Sequence, residues 1–194
     1  FIDAGGLIKN NAEVFKAELL LKVRAPNNNE IKKLHANQFI VGLLEPFNKA
    51  LTTQLATKKV TAFSLESLPR NTRAQSMDVL SSQANIAGYK AVILAADYYK
   101  KFFPMLMTAA GTVKAARIII LGAGVAGLQA IATAKRLGAV VEASDVRPAV
   151  KEQIESLGAK FIDVAYETEE EKNNASGEGG YAKPMPKSWL DRQS

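Results

Sequence analysis

The segment from residue 116 to residue 145, "ARIIILGAGVAGLQAIATAKRLGAVVEASD", constrains the fold more than any other part of the chain. An apolar run, "RIIIL", leads into a glycine-rich turn. A helical stretch then extends to Leu137, and a second apolar run, "VVEAS", ends at Asp145. A further helix over 148–157 and the run "AKFIDV" continue an alternation that is typical of parallel strands with crossover helices. The sequence therefore predicts a βαβαβ unit, which is half of a doubly wound sheet.

The glycines of this turn have the spacing G-x-G-x-x-G at Gly122, Gly124 and Gly127. In dinucleotide-binding proteins the first glycine allows the tight turn, the second lets the backbone approach a pyrophosphate, and the third lets helix and strand pack closely. Asp145 follows the turn at the distance from which a carboxylate accepts hydrogen bonds from the adenosine ribose hydroxyls. The alternative is a glycine-rich turn in an α/β domain that binds no nucleotide, and the placement of Asp145 argues against it.

Asp145 also bears on which nucleotide such a site would prefer. A phosphate on the ribose would face this carboxylate, and Arg147, two residues further on, would relieve the repulsion only in part. The sequence therefore favours NAD(H) over NADP(H) as the cofactor.

The first segment of the chain has the same alternating character. Apolar runs at 17–23, 38–44 and 59–65 are separated by helix-compatible segments, which predicts buried parallel strands joined by crossover helices. We therefore assign residues 1–69 to a partial first α/β domain.

A polar junction and a long linking helix are predicted over residues 70–115. The helix extends from Met77 to about Lys101, with breakers at Pro104 and Gly111. Its predicted apolar face consists of Met77, Leu80, Ala84, Ala87, Ala91, Leu94 and Tyr98.

Residues 116–165 form the half Rossmann unit. Residues 166–194, acidic and then rich in Gly, Asn and Pro, are expected to be a mobile loop and an atypical tail.

The junction "RNTRAQSMD" at 70–78 is unusually polar for a connection between a strand and a helix. Arg70 could bind a phosphate or carboxylate, Gln75 offers a donor and an acceptor, and Asp78 could hold Arg70 or accept from an amide. Ser81 lies three residues after Asp78 on the same helix face. The residues support equally a plain loop in which Ser76 or Asp78 caps the helix.

Composition excludes several other kinds of function. The net charge is +6, but the basic residues are dispersed and are not interleaved with aromatic residues, so nucleic-acid binding is not expected. Without cysteine, and with His35 as the single histidine, no metal site is expected, and His35 is predicted to be solvated. No apolar run reaches the length of a membrane span.

The chain lacks an initiator methionine and opens within what resembles a folded element, so we expect the true N-terminus to be missing.

Two segments, "RAQSMDVLSSQANIAGYKAV" and "TAAGT…IIILGAGVAGLQAIATAKRLGAVVEASDVRP", resemble the NAD(H)-binding domain of the proton-translocating NAD(P) transhydrogenases. The resemblance covers roughly residues 10 to 165, with "GGYAK" as a further short block. It implies two Rossmann-like parallel-sheet domains joined by a long helix, both incomplete in this chain. It also implies hydride transfer between NAD(H) held here and NADP(H) on a partner domain, coupled to proton passage through a membrane domain. Family members act as homodimers at the cytoplasmic face of a bacterial inner membrane or the matrix face of the mitochondrial inner membrane.

The resemblance also implies roles for individual residues. Those expected around the nicotinamide, its ribose and the phosphates are Arg70, Gln75, Ser76, Asp78 and Ser81, of which Arg70, Gln75 and Asp78 are the catalytic candidates. The pyrophosphate is expected on Gly122, Gly124, Val125 and Gly127, and the adenosine on Asp145, Val146 and Arg147. Gly180 and Tyr181 would belong to a closing loop, although the glycine-rich composition fits an unimportant disordered loop equally well. Transfer between two nicotinamides moves no substrate proton, so positioning suffices without a general acid or base.

The residues leave two hypotheses open besides the transhydrogenase function. In the related alanine dehydrogenases a substrate lysine and a catalytic histidine are expected in the first domain. Lys22 in "LLKVRAP" matches the lysine, but "GLLEPFNKAL" has no histidine, and Arg24 departs from that family's usual lysine. The third hypothesis is an inactive truncated fragment, because the chain lacks the fourth to sixth strands of a Rossmann domain. Half a sheet leaves an edge and an apolar face uncovered.

Overall fold

The computed structural model of the protein describes residues 1–69, 71–176 and 182–193. Arg70, Gly180 and Tyr181, three of the predicted site residues, lie outside the described residues. The chain divides into two compact units, Phe1–Leu80 and Ser81–Ser194. Within the described portion of the chain, no helix is long and apolar enough to cross a membrane.

The first unit is built on a three-stranded parallel sheet in the order β1-β2-β3. Its elements along the chain are α1 (Asn11–Val14), β1 (Leu19–Lys22), α2 (Asn28–Lys33), β2 (Phe39–Gly42), α3 (Lys49–Thr57) and β3 (Thr61–Ser64). All three predicted strands and both predicted crossover helices are present. Local sequence sets the helix starts: the Asn27 side chain accepts from the N–H groups of Asn29 and Glu30, and the Glu30 side chain accepts from the Asn27 N–H.

Among the described residues, only one face of the first sheet is covered. The buried core lies on that face and consists of Phe15, Leu20, Ile31, Leu34, Ile40, Leu44, Leu51 and Leu55. On the other face Leu21 is 74% exposed, and the half-exposed rings of Phe39 and Phe63 stack on each other with centroids 6.4 Å apart. The continuous apolar runs predicted strands buried on both faces, but β1 and β2 bury alternate residues only, and β3 has no fully buried residue.

The long helix α4 (Val79–Tyr99) starts at the end of the first unit and extends into the second. The presence of a long helix here was predicted correctly, but its buried face was not. Its buried positions are Gly88 and Val92, and most of the predicted face is exposed, including Leu80, Leu94 and Tyr98. Gly88 is buried because another helix approaches its backbone closely, as described below, and Val92 belongs to the hydrophobic core of the second unit.

The second unit contains the predicted βαβαβ arrangement. After α4 a hairpin of β4 (Leu106–Thr108) and β5 (Gly111–Val113) intervenes, which the sequence did not indicate. The elements that follow are β6 (Arg117–Leu121), α5 (Val125–Arg136), β7 (Val140–Ser144), α6 (Lys151–Ser156) and β8 (Lys160–Phe161). Strands β6, β7 and β8 pair in parallel in that order. The predicted fold class, α/β with Rossmann-like parallel sheets, is confirmed.

The core of the second unit lies between its sheet and the helices on one side. Its members include Val92, Phe103, Ala130, Ile131, Ala134, Val141, Ala143 and Ile154. On the opposite face Ile119 and Leu121 of β6 are 59% and 69% exposed. This sheet therefore also presents an apolar face that the described residues leave open.

The segment after Val164 was expected to have no regular structure, and that expectation is wrong for two stretches. Helix α7 (Glu169–Ala175) starts at Thr168, whose side chain accepts from the Glu171 N–H, and helix α8 (Lys187–Gln193) follows. Trp189 of α8 is only 1% exposed. The polar composition was misleading because one buried tryptophan, Trp189, anchors α8, and a single apolar residue produces no periodic pattern.

Candidate nucleotide-binding site

The glycine-rich turn joins β6 to α5, and its three glycines have different structural constraints. Gly122 has a φ of 91°, in the left-handed region that favours glycine, and its N–H donates to the Ser144 carbonyl at 2.8 Å. A Cβ on Gly127 would lie 1.8 Å from the Gly122 carbonyl oxygen, so this glycine allows α5 to pack against the turn. At Gly124 φ is −74°, and no atom lies within 4 Å of where a Cβ would stand. The turn is thus closely packed at Gly127 and open at Gly124.

The N-terminus of α5 follows this open position directly. Its cap residue, Gly124, has no side chain that could occupy the first N–H groups of the helix. Free N–H groups and the helix dipole make such a terminus favourable for an anion. The open space at Gly124 is therefore where a phosphate group could approach the backbone.

Asp145 lies immediately after β7, and four donors hold its carboxylate. The Ala123 N–H donates to Oδ2 at 2.6 Å. The Arg147 N–H and Nε donate to Oδ1 at 2.8 and 2.9 Å, and Arg147 Nη2 donates to Oδ2 at 3.0 Å. The residue is only 8% exposed. Its carboxylate thus ties the glycine-rich turn to the loop that follows β7.

The charge of Asp145 is stabilised in this setting. Burial acts to raise the pKa of the carboxyl, but the hydrogen bonds from Arg147 and from the Ala123 N–H lower it by more, so the pKa lies below its usual value. The group is a carboxylate at neutral pH. Its negative charge repels a phosphate in the same place and attracts hydroxyl donors.

The second unit brings together all the residues predicted for the pyrophosphate and the adenosine. They form the turn and the loop after β7, namely Gly122, Gly124, Val125, Gly127, Asp145, Val146 and Arg147. Two hydrogen bonds connect turn and loop: Gly122 N–H to the Ser144 carbonyl, and Ala123 N–H to the Asp145 carboxylate.

The polar junction of the first unit is ordered by a residue that the sequence analysis did not single out. The Asn71 side chain accepts from the Ala74 N–H at 2.9 Å, and its carbonyl accepts from the Gln75 N–H at 3.0 Å. Residues Gln75–Met77 then form a 3-10 turn before α4 starts at Val79. An asparagine in a loop commonly bonds to nearby backbone in this way, so its position was a usable signal.

Beside this junction lies a cavity of about 330 Å³, at the lower end of the range of ligand pockets. Its polar lining includes Glu66, Asn71, Gln75 and Asp78. Two of the predicted nicotinamide residues, Gln75 and Asp78, thus share one cavity. The predicted residues Ser76 and Ser81 do not belong to its described lining, and Arg70 lies outside the described residues.

Glu66 lines the same cavity and is a candidate site residue that the sequence analysis missed. Its carboxylate accepts from the N–H groups of Leu44 and Glu45, both at 3.0 Å, and from the Ser64 hydroxyl. Burial acts to raise its pKa, but the hydrogen bonds from Ser64 and the Glu45 N–H outweigh it and hold the pKa below the usual value. A carboxylate two residues after β3 lies at the carboxyl edge of a parallel sheet, where ligands bind, and this position was the available signal.

Helix α4 crosses the first turn of α5 at a glycine. A Cβ on Gly88 would lie 2.0 Å from the carbonyl oxygen of Ala126, one residue before Gly127. The two helices therefore approach each other as closely as their backbones allow, next to the glycine-rich turn. The contact makes Gly88 a support of this turn.

We expect Gly88→Ala to lower the free energy of unfolding by about 2 kcal/mol, because the added methyl group would push α4 away from α5. Helix propensity alone predicts the opposite sign, a gain of about 1 kcal/mol. Urea denaturation measures the difference, with Gln83→Ala, at an exposed position of the same helix, as the control. A stabilised Gly88→Ala variant would show that the close contact is absent in solution.

Lys22, which matches the substrate lysine of the alanine dehydrogenases, already has a partner. Its Nζ donates to Glu30 Oε1 at 2.5 Å and lies 5.7 Å from the centre of the Phe15 ring. The hydrogen bond from Lys22, together with that from the Asn27 N–H, lowers the pKa of Glu30. A lysine paired in this way is engaged in holding α2 against β1.

The fold and these contacts define an α/β protein with a Rossmann-type nucleotide-binding unit. The comparisons identify the family. Residues 1–87 match "Alanine dehydrogenase/PNT, N-terminal domain", and residues 91–177 match "Alanine dehydrogenase/PNT, C-terminal domain". The chain belongs to this family of oxidoreductases.

Among its relatives in the family, the chain is similar to subunits of NAD(P) transhydrogenases, as the sequence motifs indicated. The chain is 42% identical over 186 residues, 95% of its length, to the NAD(P) transhydrogenase subunit alpha of Haemophilus influenzae, of which this covers 35%. An NAD(P) transhydrogenase subunit alpha protein of Rhodospirillum rubrum is 56% identical over 147 residues, which are 76% of this chain and 38% of that one.

Solved structures agree with these relatives. The crystal structure of transhydrogenase from Sinorhizobium meliloti superposes with a TM-score of 0.80 at 54% identity, covering 84% of this chain and 49% of that one. An L-alanine dehydrogenase structure shares the fold with a TM-score of 0.70 at 22% identity, over 98% and 57% of the two chains. The chain thus spans half or less of the transhydrogenases that it matches.

Proposed function

We propose that this chain binds NAD(H) and takes part in hydride transfer to or from NADP(H) on a partner domain, within a proton-translocating transhydrogenase. The observation that carries the proposal is the Asp145 carboxylate bound to the Ala123 N–H at 2.6 Å, within a βαβ unit. This places a carboxylate beside the glycine-rich turn, as ribose recognition requires. The reaction type comes from the names of two relatives that are more than 50% identical to this chain, both of which are called transhydrogenases.

The residues present fit a dinucleotide. The open position at Gly124, before the uncapped start of α5, accommodates a pyrophosphate, and Val125 and Gly127 begin the helix whose N–H groups would bind it. Asp145 accepts hydroxyl donors well but already carries four hydrogen bonds, mainly from Arg147. Ribose hydroxyls would therefore replace some of the hydrogen bonds from the Arg147 guanidinium to Asp145. A ribose phosphate would be repelled by the carboxylate, which favours NAD(H) over NADP(H).

The roles proposed for the junction need no acid or base. A bound nicotinamide supplies the hydride, and the chain's contribution is to bind, orient and exclude water. Gln75 has both a donor and an acceptor for an amide, and Asp78 shares its cavity. Glu66 fixes the backbone of residues 44 and 45 beside that cavity. We propose Arg70, Ser76, Ser81, Gly180 and Tyr181 as further site residues on the resemblance alone.

Alanine oxidation has less support from the residues of the first unit. That reaction requires a group to accept the proton of the substrate amine, and residues 42–51 contain no histidine. The matching lysine, Lys22, forms an ion pair with Glu30 at 2.5 Å. Both observations favour hydride transfer between two nucleotides over transfer from an amino acid.

The proposal extends to partners and place. We propose that the chain acts with an NADP(H)-binding domain and a membrane domain, as a homodimer, at the cytoplasmic face of a bacterial inner membrane or the matrix face of a mitochondrial one. The names of the relatives support other subunits only indirectly, since these proteins are called subunit alpha.

The test is calorimetric titration of the 194-residue chain with NADH and with NADPH, alongside an assay of alanine oxidation with NAD+. We expect NADH to bind at least about tenfold more tightly than NADPH, because a like-charge contact costs on the order of 1 kcal/mol or more. No alanine oxidation is expected.

Each other outcome has a definite meaning. Alanine turnover would replace the proposal with an alanine dehydrogenase activity. Binding of neither nucleotide, together with strong binding of a hydrophobic dye to the open sheet faces, would show an inactive fragment. Tighter binding of NADPH would contradict the role of Asp145.

A further inference from the structure

Helix α8, at the end of the chain, reaches the loop that follows β7. Gln193 Nε2 donates to the Ser144 hydroxyl at 3.1 Å, and Ser144 is the last residue of β7. Trp189 of the same helix stacks on Tyr166, with ring centroids 6.5 Å apart and planes inclined by 16°. The Tyr166 hydroxyl in turn donates to the Val146 carbonyl at 2.5 Å. The helix thus contacts the candidate adenosine side through two separate routes.

A second set of contacts holds α8 in place. Arg192 Nη2 donates to both oxygens of the Glu171 carboxylate, at 2.9 and 2.8 Å, and its Nη1 lies 3.0 Å from Glu167 Oε2. The Glu171 side chain also accepts from the Glu167 N–H at 2.7 Å. The Arg192 guanidinium thus contacts two carboxylates, Glu171 through Nη2 and Glu167 through Nη1, and charge-assisted contacts of this kind are the stronger ones. Trp189 is therefore positioned by both its burial and the neighbouring ion pair.

Val146 lies between Asp145 and Arg147, and the Ala123 N–H holds Asp145 to the glycine-rich turn. Two further anchors act on the loop. The internal anchor is the Asp145 carboxylate, which binds the backbone and guanidinium of Arg147. The external anchor is the hydrogen bond from Tyr166 to Val146. Ribose hydroxyls that bind Asp145 must take acceptor positions now used by Arg147, since four donors already fill the carboxylate. The internal anchor is weakened on binding, whereas the external one remains.

We propose that Tyr166, held by Trp189 of α8, is a positioning residue that keeps the Val146 main chain in place while Asp145 exchanges Arg147 for the adenosine ribose. This inference rests on the proposed function and extends it to residues that the glycine-rich motif does not include. It assigns the end of the chain to the adenosine side of the site.

The experiment compares Tyr166→Phe with the unaltered chain in binding ADP-ribose, reduced nicotinamide mononucleotide and NADH. The substitution removes one hydroxyl and keeps the ring that stacks on Trp189. We expect the affinity for ADP-ribose and NADH to fall about five- to tenfold, the effect of one lost hydrogen bond to a group that ligand binding needs. Affinity for the mononucleotide, which has no adenosine, should remain within about twofold. Thermal unfolding should change little, because the internal anchor still holds the loop in the free protein.

Tyr98→Phe provides the matched control, since Tyr98 is 81% exposed and the chemical change is the same. The fluorescence of Trp189, the single tryptophan, verifies that α8 remains packed in each variant. Unchanged ADP-ribose affinity in Tyr166→Phe, or an equal loss for the mononucleotide, would overturn the inference.

The failure of the proposed function would be visible separately. If the unaltered chain binds none of the three ligands, nucleotide binding itself is disproved, and hydrogen exchange then decides the anchoring role. Faster exchange of the Arg147 amide in Tyr166→Phe, but not in Tyr98→Phe, supports the external anchor. Equal exchange in the two variants refutes it.

Discussion

Replacing Gly127 by alanine is expected to lower the free energy of unfolding by about 3 kcal/mol and to abolish nucleotide binding. The new Cβ would lie 1.8 Å from the Gly122 carbonyl oxygen and 2.8 Å from its carbon, and both are backbone atoms that cannot rotate away. Either the first turn of α5 moves away from the turn or the turn itself opens, and overpacking of this kind is costly. Both responses also displace the Ala123 N–H from Asp145.

Gly124→Ala separates binding from folding in the same motif. Its φ of −74° suits alanine, and no atom lies within 4 Å of the added methyl group, so stability should remain within about 0.5 kcal/mol. The methyl group would nevertheless occupy the space through which a pyrophosphate approaches, and NADH affinity should fall at least about tenfold. Chemical denaturation and calorimetric titration of the two variants give the comparison. Full NADH affinity in a folded Gly124→Ala variant would place the pyrophosphate elsewhere.

Much of this second unit was predictable because its signals are local. The glycines, the helix between two apolar runs and Asp145 are separated by fixed distances along the chain, and the backbone geometry of a βαβ unit brings their ends together. Continuous apolar runs likewise located β1, β2 and β3. What the sequence predicted best was the order of elements, which needs no knowledge of what lies against each face.

The mistakes concern contacts between distant segments. The buried face of α4 passes through Gly88 because α5 crosses there, and no property of α4 alone indicates where another helix will cross. The end of the chain was expected to be irregular, yet Trp189 and the Arg192–Glu171 pair fix α8 to the second unit. Glu66 escaped notice for the same reason, since its partners Leu44 and Glu45 lie more than twenty residues away.

Asp145→Asn is expected to destabilise the protein by about 2 kcal/mol and to reduce the preference for NADH over NADPH. Each carboxylate oxygen accepts from two donors, Oδ1 from the Arg147 N–H and Nε, and Oδ2 from the Ala123 N–H and Arg147 Nη2. An amide keeps one acceptor oxygen and puts an NH2 group in the other position, so two donors lose their acceptor inside a largely buried site. Loss of the negative charge also removes the repulsion of a ribose phosphate, so NADPH affinity should suffer less than NADH affinity.

The pH dependence of stability tests the same carboxylate in the unaltered protein. Because the pKa of Asp145 in the folded state lies below its usual value, its contribution to stability is fully present above the unfolded-state pKa of about 4. It is lost as the pH falls through the lower, folded-state value. Urea denaturation between about pH 6 and pH 3 should therefore show a steeper loss of stability in the unaltered chain than in Asp145→Asn.

Glu142→Gln is the control for this pair of measurements, with the same carboxylate-to-amide change on the same strand. Its carboxylate lies 2.7 Å from a largely exposed Arg117 and 3.6 Å from an equally exposed Lys160. Both cations are exposed to solvent, which weakens the two pairs, so this variant should lose less stability than Asp145→Asn and should keep the nucleotide preference of the unaltered chain. If Asp145→Asn behaved like Glu142→Gln in both assays, the carboxylate would be neither the anchor of the glycine-rich turn nor the group that selects the nucleotide. A loss of stability without a change in preference would keep the first role and remove the second.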